Sequence, residues 1–174
     1  PAVGILYDQS AAGTIARNTV TRVAGGTGVV LSNSSGSRVV ENIVREAGGH
    51  GIALLGRSDD NAATDNVATL CARDGLRVEG SGNRVERNAL DRNCQTGPAC
   101  WGLHFAPDAA GGDNVYSRNT ARFNGGLKTA CVPAKGARPP TTDFCDEQAP
   151  GPNGGNTTLY DNVMPNPEVS AAPR

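Results

Sequence analysis

The chain has 174 residues, the size of one domain with room for a sizeable core. Its formal charge of −1 argues against electrostatic binding to nucleic acid or to an anionic membrane, and no apolar run approaches the ~20 residues of a spanning helix. With 23 glycines and a single tryptophan, the composition predicts frequent turns and an interior of small aliphatic side chains.

Short alternating segments follow five marker glycines along the first two thirds of the chain. They read GILYD, GVVLS, GIALL, GLRVE and GLHFA, from Gly4, Gly28, Gly51, Gly75 and Gly102. In the last four, the first and third residues after the glycine are apolar, a period of two that predicts short β-strands. No useful 3.6-residue stripe appears, so we expect very little helix.

Asparagines recur between these segments at the same interval. The spacings are 24, 24, 22 and 31 residues along the series Asn18, Asn42, Asn66, Asn88 and Asn119, and small apolar residues flank each asparagine at fixed offsets. Tandem units of this length predict a parallel β-solenoid in which each unit forms one coil, ~4.8 Å from the next. The asparagines would then form a ladder through successive coils, with a second column at Ser37, Asn61, Asn83 and Asn114.

These units resemble the right-handed parallel β-helix repeats of the pectate-lyase-like superfamily. They are most similar to the repeats of nitrous-oxide-reductase accessory proteins and alginate epimerase-like proteins. The stretch GLRVEGSGNRVERNAL matches the repeat consensus, and the resemblance covers roughly residues 4–124 and 155–164. It implies an all-β, right-handed solenoid of about six coils. It implies little about chemistry, because one fold supports many functions.

The cysteines predict two local disulfides, Cys94–Cys100 and Cys131–Cys145, each clamping an irregular segment. The alternative is a zinc site, but no CxxC pair occurs and the spacings are poor. Cys71 remains, as a small buried hydrophobe. Disulfides predict an oxidising compartment, so we expect a secreted or cell-surface protein.

Four regions are predicted along the chain. They are β-helix coils over 1–126, a disulfide-clamped irregular loop over 127–154, a last coil or cap over 155–164, and a tail over 165–174. The loop is expected to cover the end or side of the solenoid rather than to act as a catalytic lid. Since the first coil starts within a few residues of Pro1, we expect either a piece of a longer chain or an adjoining domain or subunit over that end.

Candidate site residues follow from the resemblance. Superfamily enzymes that act on acidic polysaccharides use the outward face of one sheet, with a carboxylate or histidine as acid or base and a cation against the sugar carboxylate. The corresponding positions predict His104, Asp74 and Arg77 as catalytic residues. Trp101 would stack on a sugar ring, and further sugar contacts would come from His50, Glu79 and Asp108.

No catalytic or cofactor motif settles the chemistry. A DPHD-type stretch, a trio of stacked aspartates for Ca²⁺ and the common nucleotide-binding fingerprints are all missing from the sequence. The acidic stretch GRSDDNAATD is predicted to be a turn, with cation binding as the alternative. We therefore predict no cofactor.

Two functions follow from this pattern. The first is a secreted protein that binds or acts on acidic polysaccharide, as a lyase or epimerase relative. The second is a structural scaffold or adhesin segment without chemistry. For partners, we predict a polysaccharide or other glycan, no nucleic acid and no membrane span.

Overall fold

The computed structural model describes residues 2–94, 99–107, 112–125, 130–133, 140–141, 143–148, 156–158 and 162. Within these residues the chain forms β-strands and no α-helix, and the strands assemble into three parallel sheets. None of the described residues belongs to a helix with the length and apolar character needed to cross a bilayer.

The strands of the three sheets alternate along the chain. Sheet 1 contains β1 (Val3–Asp8), β4 (Thr27–Ser32), β7 (Ile52–Leu55), β10 (Leu76–Val78), β13 (Leu103–Phe105) and β16 (Phe144–Asp146). Sheet 2 contains β2 (Thr14–Ala16), β5 (Arg38–Val40), β8 (Ala62–Thr64), β11 (Arg84–Glu86), β14 (Val115–Ser117) and β17 (Thr157–Thr158). Sheet 3 contains β3 (Thr19–Thr21), β6 (Ile43–Arg45), β9 (Val67–Thr69), β12 (Ala89–Asp91) and β15 (Thr120–Arg122).

The chain visits sheets 1, 2 and 3 in turn and then returns to sheet 1 one level further along. Each strand pairs in parallel with its equivalents in the neighbouring coils, as β7 does with β4 and β10. The predicted all-β parallel solenoid is therefore confirmed. Its regular part is shorter than the predicted six coils, because only the first four, from β1 to β12, follow one another without an insertion.

The marker glycines are required by the spacing of the coils. A Cβ atom on Gly28, Gly51 or Gly75 would lie 2.6–2.7 Å from the carbonyl oxygen of the marker glycine in the next coil. Real Cβ atoms essentially never approach another heavy atom this closely. The glycine column thus lets adjacent coils pair just before the sheet 1 strands begin.

The predicted asparagine ladder is present. In the first column, the backbone N–H of each asparagine donates to Oδ1 of the asparagine one coil further along, at 2.9–3.0 Å, and the column ends at Asn162. The residue before each asparagine from Asn18 to Asn119 adopts a positive φ, for example 54° at Glu41 and 58° at Asp65, which completes the tight turn between sheets 2 and 3. The second predicted column, from Ser37 to Asn114, has the same bonding at 2.7–2.9 Å.

A third column, at Asn93 and Asn124, continues the five-residue spacing of Asn83 and Asn88. The Asn93 N–H donates to Oδ1 of Asn124 at 2.7 Å, and Asn124 donates to Asp143 from both its backbone N and Nδ2 at 2.8 Å. Buried turn amides therefore find acceptors in the next coil at each of the three corners of the solenoid.

The core is aliphatic in the first coils and aromatic in the later ones. Val29, Leu31, Ile52 and Leu54 are fully buried. Further along, the rings of Tyr116, Phe105 and Phe144 pack together, with centroids 5.1 Å apart for Phe105–Tyr116 and 5.4 Å apart for Tyr116–Phe144.

Both predicted disulfides, Cys94–Cys100 and Cys131–Cys145, are present. Cys71 is free and buried, and burial raises the pKa of its thiol to about 11. The thiol therefore stays protonated at neutral pH and packs as an apolar side chain, as predicted.

The segment over 127–154, predicted to be an irregular loop, is described only at residues 130–133, 140–141 and 143–148. Strand β16 lies within it and extends sheet 1 beyond β13. Here Asp143 replaces the marker glycine, and its backbone carbonyl accepts the Leu103 N–H at 3.0 Å. The missing glycine is the reason that periodicity alone did not reveal this strand. Part of the predicted last coil is present as β17 and Asn162, whereas the predicted tail over 165–174 lies outside the described residues.

Candidate functional site

The predicted residues do converge on the outward face of sheet 1. Arg77 of β10 and His104 of β13 are paired in register, between Ala53 in the preceding coil and Cys145 in the following one. The residues just before three marker glycines, His50, Asp74 and Trp101, stack beside this column through backbone bonds from each glycine to the next coil.

Asp74 is the centre of the cluster and is 0% exposed. Its Oδ1 accepts the Trp101 backbone N–H at 2.6 Å. Its Oδ2 lies 3.1 Å from Nδ1 of His104, 3.1 Å from Nδ1 of His50 and 3.6 Å from Nη1 of Arg77. Burial alone would raise the pKa of Asp74, but the hydrogen bond from His104 and the proximity of His50 hold that pKa well below its usual range.

His104 is enclosed rather than open to a substrate. The residue is 3% exposed. Its Nε2 lies 3.1 Å from Oε2 of Glu147, and its Nδ1 faces Asp74. Burial lowers the pKa of His104, but the hydrogen bonds to these two carboxylates outweigh that effect and raise it. Both ring nitrogens of His104 are therefore engaged, and its role as catalytic acid or base stays a prediction.

Trp101 is likewise covered. It is 1% exposed and packs with Ala130, Cys131 and Cys145, with its ring edge-on to His104 at a centroid distance of 4.5 Å. The disulfide-clamped segment lies over the ring, and the sugar-stacking role of Trp101 stays a prediction.

Three other predicted residues reach the surface. The Arg77 and Glu79 side chains are each 24% exposed and pair through Nε and Oε1 at 2.9 Å, while Glu79 Oε2 also accepts the Gly56 N–H at 2.9 Å. The His50 side chain is 15% exposed, and its Nδ1 faces Asp74 outside hydrogen-bond geometry. Asp108 lies outside the described residues.

The described residues do not form a convincing metal centre. The trio His104, Cys145 and Glu147 has its potential ligand atoms within 4.8 Å of one another. The sulfur of Cys145, however, is bonded to Cys131, so it is not available as a thiolate ligand. In the acidic stretch, Asp59 accepts the Ser81 N–H at 2.8 Å.

The fold and the arrangement of this face can now be compared with known proteins. A sequence profile of the family described as "Right handed beta helix region" matches residues 2–125. The chain belongs to this right-handed β-helix family. None of the curated proteins compared with this β-helix matches it in sequence.

Two solved structures share the fold. The crystal structure of the periplasmic alginate epimerase AlgG has 18% sequence identity and a TM-score of 0.61, and the match covers 92% of this β-helix and 42% of AlgG. A point mutant of AlgG gives 16% identity and a TM-score of 0.64, with 93% and 42% covered. At these identities the likeness is one of fold, and the chain spans less than half the length of AlgG.

Glu147 is the residue of this cluster that the sequence prediction missed. Its Oε2 contacts His104 and its Oε1 accepts the Val132 N–H at 2.8 Å, so it ties the covering segment to the sheet 1 face. Burial raises its pKa, but the hydrogen bonds from His104 and Val132 outweigh this and lower it. The stretch FCDEQ places two apolar residues before three polar ones, so it carries no period-two pattern that would have pointed to this contact.

Glu147→Gln is expected to lower the pKa of His104, because the amide removes one of the two charges that favour the imidazolium. An NMR titration of the His104 ring signals measures this shift. Glu46→Gln, which removes an exposed carboxylate paired with Arg22 far from the cluster, is the matched control. Equal His104 titration curves in the two variants would show that Glu147 does not hold the proton on His104.

Proposed function

We propose that this β-helix binds an acidic polysaccharide outside the reducing cytoplasm, through the exposed side chains on the outward face of sheet 1. The observation that supports this most directly is the buried Asp74 carboxylate. One of its oxygens lies 3.1–3.6 Å from two histidines and Arg77. Three successive coils contribute to that arrangement, so it depends on the fold and not on one local motif.

A purely structural role explains this cluster poorly. Burying a carboxylate costs several kcal/mol before its partners offset the loss, and a well-packed apolar side chain serves stability at least as well. Ionisable groups with strongly shifted pKa values on a concave or exposed face are typical of functional sites.

The comparison with AlgG supports the ligand class. AlgG is a periplasmic enzyme that acts on alginate, and it shares the fold over nearly the whole of this chain. Two disulfides are also typical of proteins in oxidising compartments. A uronate polymer is therefore the ligand we propose for the sheet 1 face.

The exposed residues suggest separate roles. Arg77 would meet a sugar carboxylate, since its guanidinium remains partly exposed beside Glu79. His50 lies beside Asp74, is partly exposed, and has no described hydrogen-bond partner at its ring nitrogens. In lyase or epimerase chemistry, His50 would transfer the proton on the carbon next to the sugar carboxylate.

Arg77→Gln is expected to weaken the binding of uronate oligosaccharides about tenfold, since it removes one charge-assisted contact. Isothermal titration with oligomers of alginate and pectin measures the affinity. Arg57→Gln removes an exposed arginine in the turn after β7 whose side chain has no described bond to the cluster, and it should leave binding unchanged. Thermal unfolding of both variants checks that the fold is intact.

The same oligomers test the chemistry. Lyase products absorb in the ultraviolet through their new double bond, and epimerised residues change the anomeric NMR signals. Any turnover should fall by at least about a hundredfold in His50→Gln, while binding persists. If the wild-type chain neither binds nor alters any acidic polymer, the scaffold interpretation replaces this proposal.

A further inference from the structure

A second candidate site lies on a different face of the β-helix, outside sheet 2. A groove of about 240 Å³ crosses the outward face of three successive coils there. Its lining consists of Arg38, Ala62, Thr64, Arg84, Glu86 and Arg87. None of these residues was predicted to have a functional role, and none belongs to the sheet 1 cluster.

The shape of the groove follows from one column of side chains. Arg38, Ala62 and Arg84 occupy equivalent positions in β5, β8 and β11, in register. Because adjacent strands lie ~4.8 Å apart, the two arginines stand about 10 Å apart with only the alanine methyl between them. The small central residue therefore leaves a gap with a guanidinium on each side.

The charges in and beside the groove do not cancel. Glu86 is buried and accepts from Arg84 Nη2 at 2.9 Å, from Arg87 Nη1 at 3.0 Å and from Ser117 Oγ at 3.0 Å. Arg87 also forms a bidentate pair with Asp65, with both contacts at 2.7 Å. Three guanidiniums thus face two carboxylates, and one positive charge remains.

Glu86 itself stays ionised. Burial raises its pKa, but hydrogen bonds from Arg84 and Ser117 outweigh that effect and lower it. The negative charge of Glu86 therefore orients Arg84 and Arg87 at the wall of the groove. The described partners of Glu86 are Arg84, Arg87 and Ser117, and Arg38 is not among them.

Arg38 has uncharged neighbours in its column, as Arg45 does between Thr21 and Thr69, whereas three other arginines of the solenoid are ion-paired between coils. Exposed arginines are repeatedly paired with a carboxylate at the same position one coil away, as in Arg17–Glu41 at 2.8 Å, Arg22–Glu46 at 3.8 Å and Asp65–Arg87 at 2.7 Å. The residues aligned with Arg38 in the adjacent coils are Thr14 and Ala62, which are uncharged. Among the residues that the structure describes, no carboxylate pairs with Arg38.

We propose that this groove is an anion-binding site in which Arg38 and Arg84 clamp one carboxylate or sulfate group of an acidic glycan over the Ala62 methyl. Planar guanidiniums bind both kinds of oxyanion through paired N–H donors. The volume is below the ~300 Å³ of typical small-molecule pockets, which suits one charged substituent rather than a whole oligosaccharide. The proposal takes its ligand class from the proposed function, but the site and its residues are independent of the sheet 1 face.

The test is a titration followed at the arginine side chains themselves. Protein labelled with ¹⁵N is titrated with oligomers of polygalacturonate, with a sulfated glycan oligomer and with a neutral glucan oligomer, and the Nε–Hε signals of Arg38, Arg84, Arg77 and Arg57 are recorded. Arg38 and Arg84 should shift with the two acidic oligomers, and neither should shift with the neutral one. The relative affinities of the two acidic oligomers decide between carboxylate and sulfate.

Substitutions at the groove complete the test. Arg38→Gln and Arg84→Gln should each weaken this binding about tenfold, as expected for a lost charge-assisted contact, whereas Arg57→Gln should not change it. Ala62→Glu places a carboxylate between the two arginines and should abolish binding while keeping the chain folded. Ala62→Gln fills the same space without charge and should also weaken binding, but less than Ala62→Glu does, because it adds no repulsion toward the anion.

The outcomes separate this site from the sheet 1 proposal. If Arg38 and Arg84 do not respond to either acidic oligomer, or if Arg38→Gln behaves like Arg57→Gln, the groove proposal is overturned. A response at Arg77 alone would leave the sheet 1 proposal standing. A response at Arg38 and Arg84 alone would support the groove and count against the sheet 1 face.

Discussion

Asn66→Ala is expected to lower the free energy of unfolding by about 3–5 kcal/mol, because it leaves several buried polar groups without partners. Asn66 is 0% exposed and lies in the middle of the first ladder column. Its Oδ1 accepts from the backbone N and from Nδ2 of Asn42, and its Nδ2 donates to the Val39 carbonyl at 2.8 Å and to Asn88. An alanine offers none of these bonds. Chemical denaturation at neutral pH measures the loss.

The position in the column provides the matched control. Asn18 begins the column, is only half-buried, and donates through Nδ2 to Ala16 and Asn42. Asn18→Ala should therefore cost no more than about 1 kcal/mol. Equal losses at the two positions would contradict the view that burial within the column determines the cost.

Asn66→Asp adds a readout that a simple packing defect would not show. At neutral pH the carboxylate keeps an acceptor for Asn42 but loses the donor to Val39 and places charge against Asn88 Oδ1, so this variant should be about as unstable as the alanine variant. At acidic pH the protonated acid regains a donor. Stability relative to the wild type should then partly recover as the pH falls.

Asp74→Asn is expected to lower the free energy of unfolding by about 3 kcal/mol near pH 6, because it breaks a buried charge cluster and leaves two histidines without their shared carboxylate. The amide still accepts the Trp101 N–H, so the change is largely one of charge. Asp60→Asn, at an exposed turn with a positive φ that asparagine tolerates, is the matched control.

The pH dependence identifies the cause of that loss. The pKa of Asp74 is lowered in the folded state, so its contribution is present above the unfolded value of about 3.9 and is lost as the pH falls. The pKa of His104 is raised, so its contribution is complete below the unfolded value of about 6.5 and is lost as the pH rises through the folded value. Wild-type stability should therefore peak between these limits.

Asp74→Asn should flatten this profile at both ends, because the variant lacks the carboxylate and the pKa of His104 falls. Denaturation midpoints measured across the pH range, together with the Asp60→Asn control, test the idea. An unchanged peak in the Asp74 variant would mean that other groups produce it.

Much of the architecture was predictable because a solenoid repeats its local solution. Every coil needs a glycine where Gly28, Gly51 and Gly75 approach the next backbone, and every corner needs an acceptor for buried turn amides. These needs recur at the coil length and therefore appear as periodic glycines and asparagines. The periodic pattern did not predict β16, because no marker glycine precedes this strand. At that corner Asp143, and not an asparagine, accepts the Asn124 N–H.

The candidate site was predictable only in part. Register along the column placed Arg77 beside His104 and Asp74 beside Trp101, since equivalent residues of a solenoid stack. The burial of those side chains was not predictable, because Glu147 lies 43 residues beyond His104 and the covering Ala130 and Cys131 lie about 30 residues beyond Trp101. Whether His104 is exposed depends on that distant contact and not on its own coil.

The amino-acid sequence by itself thus determined the coil, its parallel pairing and the columns of asparagine, because short-range periodicity and backbone hydrogen bonding specify them. Only the tertiary structure decided which outward residues meet solvent. It buried Trp101 and His104 under the disulfide-clamped segment and left the gap over Ala62 open between two arginines. Those outcomes depend on contacts between residues far apart in the chain, which have no periodic signal to reveal them.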